Sequence, residues 1–350
     1  MRAEPSSQPA LPEVLEACAL WIVAPCAAEM RPEDIQPPGS GEVRVRAIAS
    51  AISHGTEMLV YRGEVPAGLP LDLPTLAGSF GFPIKYGYAA VGRILDIGPG
   101  VTNLAPGDPV FVHHPHQSAF VVPAAMPVRL PDGLDPSRAL FFANLETALN
   151  IVHDTPLRLG ETAVVFGQGV VGLLVTQLLK LAGARRVVAV DPIAGRRELA
   201  FAVGADDAVE PDELPARVFD VTAGRSADVA IEVSGSGTAL QAAVDAVAVE
   251  GTVVVASWYG AKPVTLQLGE HFHRGRVRLR SSQVGRIGPE LSPRWDRERR
   301  TGAVLGLLPR LRLAELVSHR FLFEEAAEAL RLVDERRGEA VQVVLTYGET

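Results

Sequence analysis

The second part of the chain alternates short runs of strand character with longer stretches of helical periodicity. A run of five or six apolar residues without polar alternation is typical of a strand buried on both faces, and helices between such strands produce a parallel sheet covered on both sides. The pattern therefore predicts a doubly wound α/β domain. Its predicted strands are 162–166, 186–190, 228–233, 252–257 and 277–282.

The first part of the chain has a different pattern, in which β-type runs are separated by Gly and Pro. Such punctuation predicts a β-rich domain with little helix. The end of the chain is mixed, with a helix predicted over 323–338 and a closing strand over 341–347. Residues 1–15, rich in Pro, Ser and Glu, are predicted to form a loose tail. The predicted strands of the first part lie within 41–53, 86–98, 108–114 and 118–130.

Composition and charge narrow the class of protein. The 350 residues are 47% hydrophobic and 21% charged, which is typical of a globular chain with about two domains. A net charge of −8 provides no field that would attract nucleic acid or an anionic membrane, so neither is an expected partner. Cys18 and Cys26 are the only cysteines, which excludes a disulfide framework and a paired CxxC zinc cluster. Since no signal sequence or long apolar run is present, a cytoplasmic protein is expected.

A glycine-rich motif follows the first of the predicted buried strands. In the GxGxxG pattern the first glycine permits a tight turn, the second lets the backbone approach a pyrophosphate, and the third allows close packing of helix on strand. Asp191 ends the next strand, where a carboxylate binds the adenosine ribose hydroxyls. The motif therefore predicts a dinucleotide site. Its residues are Gly167, Gln168, Gly169, Val170, Val171 and Gly172.

The charged residues near Asp191 leave both NAD and NADP as possible cofactors. The carboxylate repels a 2′-phosphate and therefore favours NAD. Arg196 and Arg197 follow shortly afterwards, where a guanidinium could reach a 2′-phosphate, so NADP stays an alternative.

A basic segment between Arg274 and Arg300 departs from the net acidity of the chain, with nine arginines against three acids. One interpretation is a solvated, partly self-paired face. The other is a site for an anionic substrate, a cofactor phosphate or an acidic partner.

Three stretches carry a resemblance to a known family: Ser53-His54-Gly55-Thr56-Glu57, Lys85-Tyr86-Gly87-Tyr88 and residues 281–285. With them, the chain from about residue 18 onward resembles the medium-chain dehydrogenase/reductase superfamily, the alcohol-dehydrogenase-like group. The stretches are most similar to the branch grouped with bacteriochlorophyllide 2-(1-hydroxyethyl) dehydrogenases.

The resemblance implies an architecture and an activity. It implies a GroES-like β-rich catalytic domain over 1–148, a Rossmann domain over 149–288 and a return to the catalytic domain over 289–350. The implied activity is an NAD(P)-dependent interconversion of a secondary alcohol and a ketone, on a small-molecule substrate in the cleft between the domains. A homodimer is also implied.

The resemblance further predicts that the catalytic zinc of the family is lost. Zinc alcohol dehydrogenases hold this metal with three side chains, and the matching positions here are Ser53, Tyr88 and Ala143. A hydroxyl, a phenol and a methyl group do not make a tetrahedral nitrogen and sulfur site. Residues 92–120 also lack the cysteines of the family's structural zinc, so no metal is expected. The remaining metal candidates, which lack a partnered carboxylate and otherwise suit a pocket wall or a surface turn, are His113, His114 and His116.

Without a metal, an organic side chain must exchange a proton with the substrate oxygen. The first candidate is Tyr88, whose family position points into the catalytic cleft, and Lys85 would lower its pKa if the fold brings the two together. The alternative for Tyr88 is a packing aromatic that fills the old metal cavity. His54 and Thr56 lie where zinc relatives carry a proton relay; His54 either titrates there near neutrality or is structural. Glu146 is either a substrate-binding carboxylate or a helix N-terminal acid.

The other predicted contacts follow from family position or from the carboxyl ends of the predicted strands. Open α/β sheets bind ligands at that edge, where glycine admits the cofactor and aromatic rings supply a wall. The predicted cofactor contacts, besides the motif, are Thr147, Ser234, Gly235, Ser257 and Trp258. The predicted substrate contacts are Glu57, His116, Tyr259, His273 and Gln283.

Two other functions stay open at this point. Quinone and enoyl reductases of the same superfamily also lack zinc, and they reduce an activated C=C bond. A catalytically silent nucleotide-binding or scaffold protein would have lost the metal ligands as well.

Overall fold

The computed structural model describes residues 14–71 and 78–348. The strands are β1 (Leu15–Ala24), β2 (Ala27–Ile35), β3 (Glu42–Ile52), β4 (Ala90–Ile97), β5 (Pro109–Val112), β6 (Ala119–Pro123), β7 (Val128–Arg129), β8 (Thr162–Phe166), β9 (Arg186–Val190), β10 (Asp207–Val209), β11 (Ala227–Glu232), β12 (Val247–Val255), β13 (Arg278–Ser281), β14 (Val317–Leu322) and β15 (Gln342–Thr346). The helices are α1 (Thr56–Tyr61), α2 (Pro136–Ala139), α3 (Phe142–Asp154), α4 (Val170–Leu181), α5 (Ala194–Ala202), α6 (Leu214–Thr222), α7 (Gly237–Ala246), α8 (Arg297–Leu307) and α9 (Ala326–Glu335).

The predicted doubly wound sheet is confirmed. Its strand order is β10-β9-β8-β11-β12-β13, and every neighbouring pair is parallel. The chain therefore starts in the middle of the sheet, winds outward to one edge, and then returns to wind outward to the other. This order places a topological switch point between β8 and β11, at whose carboxyl ends open sheets of this kind bind ligands.

The burial of β8 explains its unbroken apolar sequence. Ala163 and Val165 pack into one hydrophobic cluster, together with residues of α3 and α4. Val164 and Phe166 face the opposite side and pack with residues of α6 and α7. Since helices cover both faces, every position from 163 to 166 is apolar. The three-residue β10 was missed because so short a strand carries no pattern.

The β-rich part forms a second sheet that the end of the chain completes. Its order is β14-β15-β3-β4-β5-β7, with β6 paired to β3. β15 pairs antiparallel with β3, so the predicted closing strand returns to the first part of the chain. The helix predicted over 323–338 is a 3₁₀ turn over 323–325 followed by α9, and β14 was not predicted. The β-rich and doubly wound fold class is thus the one predicted.

Two details differ from the predicted organisation. The predicted tail over 1–15 is wrong at its end, because β1 already begins at Leu15 and pairs with β2 in a hairpin; residues 1–13 lie outside the described part. The first domain boundary was predicted between residues 148 and 149, and α3 runs through this position without a break. A helix that packs on α4 gives no local sign of a boundary in its sequence.

Candidate active site

The glycine motif lies at the switch point of the parallel sheet. Gly167 adopts φ +93°, and a Cβ at this position would come within 2.8 Å of Ser234, at the end of β11. A Cβ on Gly172 would lie 1.9 Å from the carbonyl oxygen of Gly167, so α4 packs directly against the turn. Gly169 has no atom within 4 Å of the place where its Cβ would be. The turn is therefore closed on the protein side and open at Gly169, as a bound pyrophosphate requires.

Asp191 is buried at the carboxyl end of β9, and its carboxylate is aligned by two backbone groups. Oδ2 accepts the N–H of Gln168 at 2.8 Å, and Oδ1 accepts the N–H of Ile193 at 2.9 Å. This arrangement ties the ribose-binding candidate to the glycine turn. Arg197 donates to the carbonyls of Asp191 and Pro192 and to the carboxylate of Glu210.

Two buried nitrogen atoms near this turn have no hydrogen-bond partner. Within 14–71 and 78–348 the orphaned side-chain nitrogens are His54 Nε2 and Arg196 Nε. Arg196 lies 3.8 Å from Asp191 and also donates to the carbonyls of Arg337 and Ala340, which belong to the other part of the chain. Buried polar atoms without partners are rare in proteins, and these two nitrogens fit a ribose or phosphate oxygen of a bound dinucleotide.

His54 does not titrate near neutrality, so the prediction of a neutral-pH proton shuttle is wrong. Burial lowers its pKa to about 3, and the positive charges of Arg196 and Arg62 and the imidazole of His319 add to the effect. Desolvation disfavours the imidazolium ion, and nearby cations disfavour it further. His54 is therefore a neutral imidazole at physiological pH.

Tyr88 and Ser53 form a hydroxyl pair beside α1. The Tyr88 hydroxyl donates to Ser53 Oγ, and the half-buried ring packs between two hydrophobic clusters. Burial raises the pKa of Tyr88; hydrogen bonds with Ser53 and Thr56 lower it, while the carboxylate of Glu57 raises it. The net shift is upward, so the phenol is protonated at neutral pH and is available as a donor.

Lys85 lies elsewhere, and the prediction that it would lower the pKa of Tyr88 is wrong. Its Nζ donates to both carboxylate oxygens of Glu33, at 2.9 and 3.0 Å, and to Gln117 at 3.1 Å. It also lies over the ring of Trp21. The partners of Lys85 come from the β1–β2 hairpin and from residue 117, which sequence analysis did not place.

Glu57 and His116 were predicted to contact the substrate, and both are instead buried. Their side chains are 1% and 0% exposed, and Oε1 of Glu57 lies 2.8 Å from Nε2 of His116. Oε2 of Glu57 accepts the backbone N–H of Ser53 at 2.9 Å. The two residues therefore support the hydroxyl pair from within the protein and do not face a ligand.

Glu146 forms an ion pair, and the prediction that it is a helix N-terminal acid is wrong. Arg300 donates to Oε1 at 2.9 Å, and Nε2 of His113 lies 3.5 Å from Oε2. Burial raises the pKa of Glu146, but the hydrogen bond of His113 and the charge of Arg300 outweigh it, so the pKa falls below its usual value. Glu146 lies beyond the first turn of α3 and is therefore not a helix N-terminal acid.

Four of the nine arginines of the basic segment form ion pairs with acids of this chain, as the partly self-paired interpretation expects. Arg300 is buried against Glu146, while Arg280 pairs with Asp154 at 2.9 Å. The acid that pairs with the exposed Arg276 and Arg278 is Glu250.

The three neighbouring histidines have three different environments. His113 contacts Glu146, His114 stacks on Phe120 at 3.6 Å between ring centroids, and His116 contacts Glu57. Among the described residues no group of three or more His, Cys, Asp or Glu side chains is arranged to hold a metal ion.

A buried glutamate that sequence analysis missed organises the carboxyl edge of the parallel sheet. Glu232 ends β11, and its Oε1 accepts the N–H and the hydroxyl of Ser234, both at 2.6 Å, and the N–H of Gly235 at 2.9 Å. Its Oε2 accepts the hydroxyl of Tyr259 at 2.7 Å. Gly235 N–H also donates to Ser257 Oγ. The available signal was an acid at the end of an otherwise apolar strand, which is costly to bury without such partners.

A line of aromatic rings runs from this edge to Tyr88. Trp258, 41% exposed, lies 6.0 Å from Phe80 between ring centroids. Phe80 lies 5.8 Å from Tyr86, which meets Tyr88 edge-on at 6.3 Å. Trp258 thus connects the end of β12 to the β-rich part of the chain.

The remaining predicted contacts are His273, Gln283 and Thr147, and each lies in a different part of the structure. His273 is exposed in the turn that leads into β13, at the amino end of the parallel strands, so its predicted substrate contact is wrong. Every crossover returns the chain to that end before the next parallel strand. Gln283 follows β13 at the carboxyl end, and its carbonyl oxygen lies 3.4 Å from Asn150 Nδ2. Thr147 donates to the carbonyl of Ala143 within α3.

Known proteins that are similar in sequence to this chain are dehydrogenases. The zinc-binding dehydrogenase family matches residues 170–297. D-guloside 3-dehydrogenase of Escherichia coli K12 is 29% identical over 331 residues, which cover 88% of this chain and 93% of that protein. Both comparisons show that the chain is similar to dehydrogenases. None of the described helices is long and apolar enough to cross a membrane.

Two solved dehydrogenase structures share the fold at low sequence identity. A zinc-binding dehydrogenase of Sinorhizobium meliloti 1021, bound to NADP, has a TM-score of 0.77 at 21% identity, and the match covers 95% of this chain and 99% of that one. A protein of Escherichia coli CFT073 described as a short chain alcohol dehydrogenase, complexed with NADH, has a TM-score of 0.78 at 20% identity with the same coverage. The fold predicted from the resemblance, GroES-like plus Rossmann, is therefore confirmed.

The donor set of this chain does not fit the metal in the family's description. Ala143 has no donor atom, and the hydroxyls of Ser53 and Tyr88 are hydrogen-bonded to each other. Neutral oxygen donors of this kind are poor zinc ligands compared with thiolate and imidazole.

Proposed function

We propose that this medium-chain dehydrogenase/reductase interconverts a secondary alcohol and a ketone without zinc, with Tyr88 as the proton donor. The observation that carries the proposal is the hydroxyl pair of Tyr88 and Ser53, in which a protonated phenol occupies the position of a family metal ligand. A hydrogen-bond donor placed at the reacting oxygen can stabilise the charge that a metal would otherwise stabilise.

The residues of this chain have defined tasks in ketone reduction. A bound nicotinamide supplies the hydride. In this step the O–H of Tyr88 turns from Ser53 Oγ to the carbonyl oxygen and transfers its proton as negative charge develops there. Ser53 and Thr56 then donate to the phenolate oxygen of Tyr88 and stabilise it. Alcohol oxidation is the reverse reaction and starts from the Tyr88 phenolate, which accepts the proton of the alcohol.

The first test compares two kinds of substrate. Purified protein is incubated with NADH or NADPH and with matched pairs of a saturated ketone and the corresponding enone, and products are identified by mass spectrometry. Formation of the secondary alcohol supports the proposal. Reduction of the C=C bond alone favours an enoyl or quinone reductase. Cofactor binding without hydride transfer to any substrate favours a silent nucleotide-binding protein.

The metal content provides a separate prediction. We expect elemental analysis to find well under one zinc per chain, and chelators to leave the turnover unchanged, because Ser53, Tyr88 and Ala143 supply no suitable ligand set. Zinc added to the chelator-treated protein should not raise the rate. Stoichiometric, tightly held zinc whose removal abolishes activity would contradict the proposal.

NAD is the proposed cofactor in preference to NADP. The buried carboxylate of Asp191 would lie against a 2′-phosphate, and Arg197 is already committed to carbonyl and carboxylate oxygens. We expect NADH to bind about tenfold or more tightly than NADPH, which corresponds to about 1.4 kcal/mol of repulsion. Replacement Asp191→Ala should reduce the difference, measured by fluorescence titration. Tighter binding of NADPH by the wild type would reverse the assignment and direct attention to Arg196.

A further inference from the structure

A single buried histidine lies behind the segments that carry Ser53 and Tyr88. His116 is fully buried, and both ring nitrogens have partners: Nε2 lies 2.8 Å from Glu57 Oε1, and Nδ1 lies 2.7 Å from Ser50 Oγ. His116 therefore bridges Glu57 and Ser50.

The hydrogen bonds around His116 form a continuous chain. The hydroxyl of Tyr347 lies 2.9 Å from Ser50 Oγ, which lies 2.7 Å from Nδ1 of His116. Nε2 of His116 continues the chain to Glu57. Buried polar groups that are all hydrogen-bonded hold one another in a fixed geometry. The Glu57 carboxylate is thus held in place by residues from three distant parts of the chain.

His116 contacts one neighbour of each residue in the hydroxyl pair. On one side, Glu57 accepts the backbone N–H of Ser53 at 2.9 Å. On the other side, Gly87 directly precedes Tyr88, has φ +131° and packs against the imidazole. A Cβ on Gly87 would lie 3.0 Å from Nε2 and Cδ2 of His116. The imidazole of His116 therefore packs closely against the backbone of Gly87.

We propose that His116 is a positioning residue that sets the separation of the Tyr88 and Ser53 hydroxyls, acting through Gly87 on one side and Glu57 on the other. The inference rests on the proposed function, since it concerns the geometry of the proposed proton donor. His116 is buried and acts through these neighbours.

The kinetic test uses three substitutions. His116→Phe retains a buried ring and loses both hydrogen bonds, and we expect kcat to fall about 100-fold with KM for NADH within about twofold. His116→Gln keeps an amide donor for Glu57 and should restore kcat to within about fivefold of the wild type. The matched control is His114→Phe, because His114 is also buried but stacks on Phe120. It should leave kcat within about twofold.

A spectroscopic measurement separates this inference from the proposed function. The chain has five tyrosines, so 3-fluorotyrosine labelling gives five ¹⁹F resonances that can be assigned by single Tyr→Phe substitutions. We expect His116→Phe to shift the Tyr88 resonance and His114→Phe to leave it in place. If the wild type transfers no hydride but the Tyr88 resonance responds in this way, the proposed function fails while the positioning role stands.

Two results would overturn the inference: an unmoved Tyr88 resonance in His116→Phe, or equal losses of kcat in His116→Phe and His114→Phe. Should His116→Phe not fold, Ser50→Ala provides the milder variant, because it leaves the imidazole and its contact with Glu57 in place and removes the hydroxyl that bridges Nδ1 and Tyr347. We expect Ser50→Ala to shift the same resonance and to lower kcat about tenfold. An unshifted resonance in that variant contradicts the proposal equally.

Discussion

Replacing Tyr88 by phenylalanine is expected to lower kcat for ketone reduction by roughly 100-fold or more, the scale of a positioned general acid. The substitution removes the hydroxyl that donates to Ser53 and leaves the ring, whose packing against two hydrophobic clusters should keep the fold intact. NADH affinity should change little, because Tyr88 acts on the substrate oxygen. Steady-state kinetics and a fluorescence titration of NADH together measure both quantities.

The control for this prediction is Tyr86→Phe. Tyr86 is a neighbouring tyrosine whose ring meets Tyr88 edge-on, and burial raises its pKa as well. Its hydroxyl is assigned no part in the proton transfer, so kcat should stay within about threefold of the wild type. Equal rates for Tyr88→Phe and the wild type would remove Tyr88 from the mechanism and leave its ring as packing only.

The second large effect is expected for Gly172→Ala. The new methyl would lie 1.9 Å from the carbonyl oxygen of Gly167, so α4 must move away from the turn. Overpacking of this kind costs about 3 kcal/mol of unfolding free energy. The movement also displaces the helix N-terminus from the pyrophosphate site, and we expect NADH binding to weaken about 100-fold. Chemical denaturation and fluorescence titration measure the two effects.

The Gly169→Ala variant separates an effect on NADH binding from an effect on the free energy of unfolding. No atom lies within 4 Å of the position that its methyl would occupy, so the unfolding free energy should change by less than about 1 kcal/mol. The methyl would nevertheless point into the open side of the turn, where a pyrophosphate approaches the backbone. NADH binding should therefore weaken in a protein of normal stability. Undiminished NADH affinity in both glycine variants would exclude this turn as the cofactor site.

The sequence predicted the parallel sheet and its glycine turn because their causes are local. Strands buried on both faces need continuous apolar runs. The glycine motif combines, within six residues, a tight turn, a backbone that a pyrophosphate can approach and a close contact between helix and strand. β14 was missed because it gains its position by pairing with β15. The β1–β2 hairpin is a local pair, and the sequence analysis did not separate its two strands.

The candidate site was predicted less well, since its charges are distributed by contacts between distant residues. Lys85 was expected beside Tyr88 from a spacing of three residues, yet it pairs with Glu33, 52 positions away. Glu146 pairs with Arg300 across 154 positions. A titratable group in a sequence has no partner until the chain folds, so its pKa and its availability to a ligand stay undetermined.

What the amino-acid order by itself determined is the two-part architecture and the glycine turn, since each depends on residue types and short spacings. Only the tertiary structure decided that His54 is neutral, that Glu57 and His116 are buried supports, and that Glu232 holds the edge of the sheet. Burial and the approach of distant charges set these properties, and neither is encoded within a local stretch of sequence.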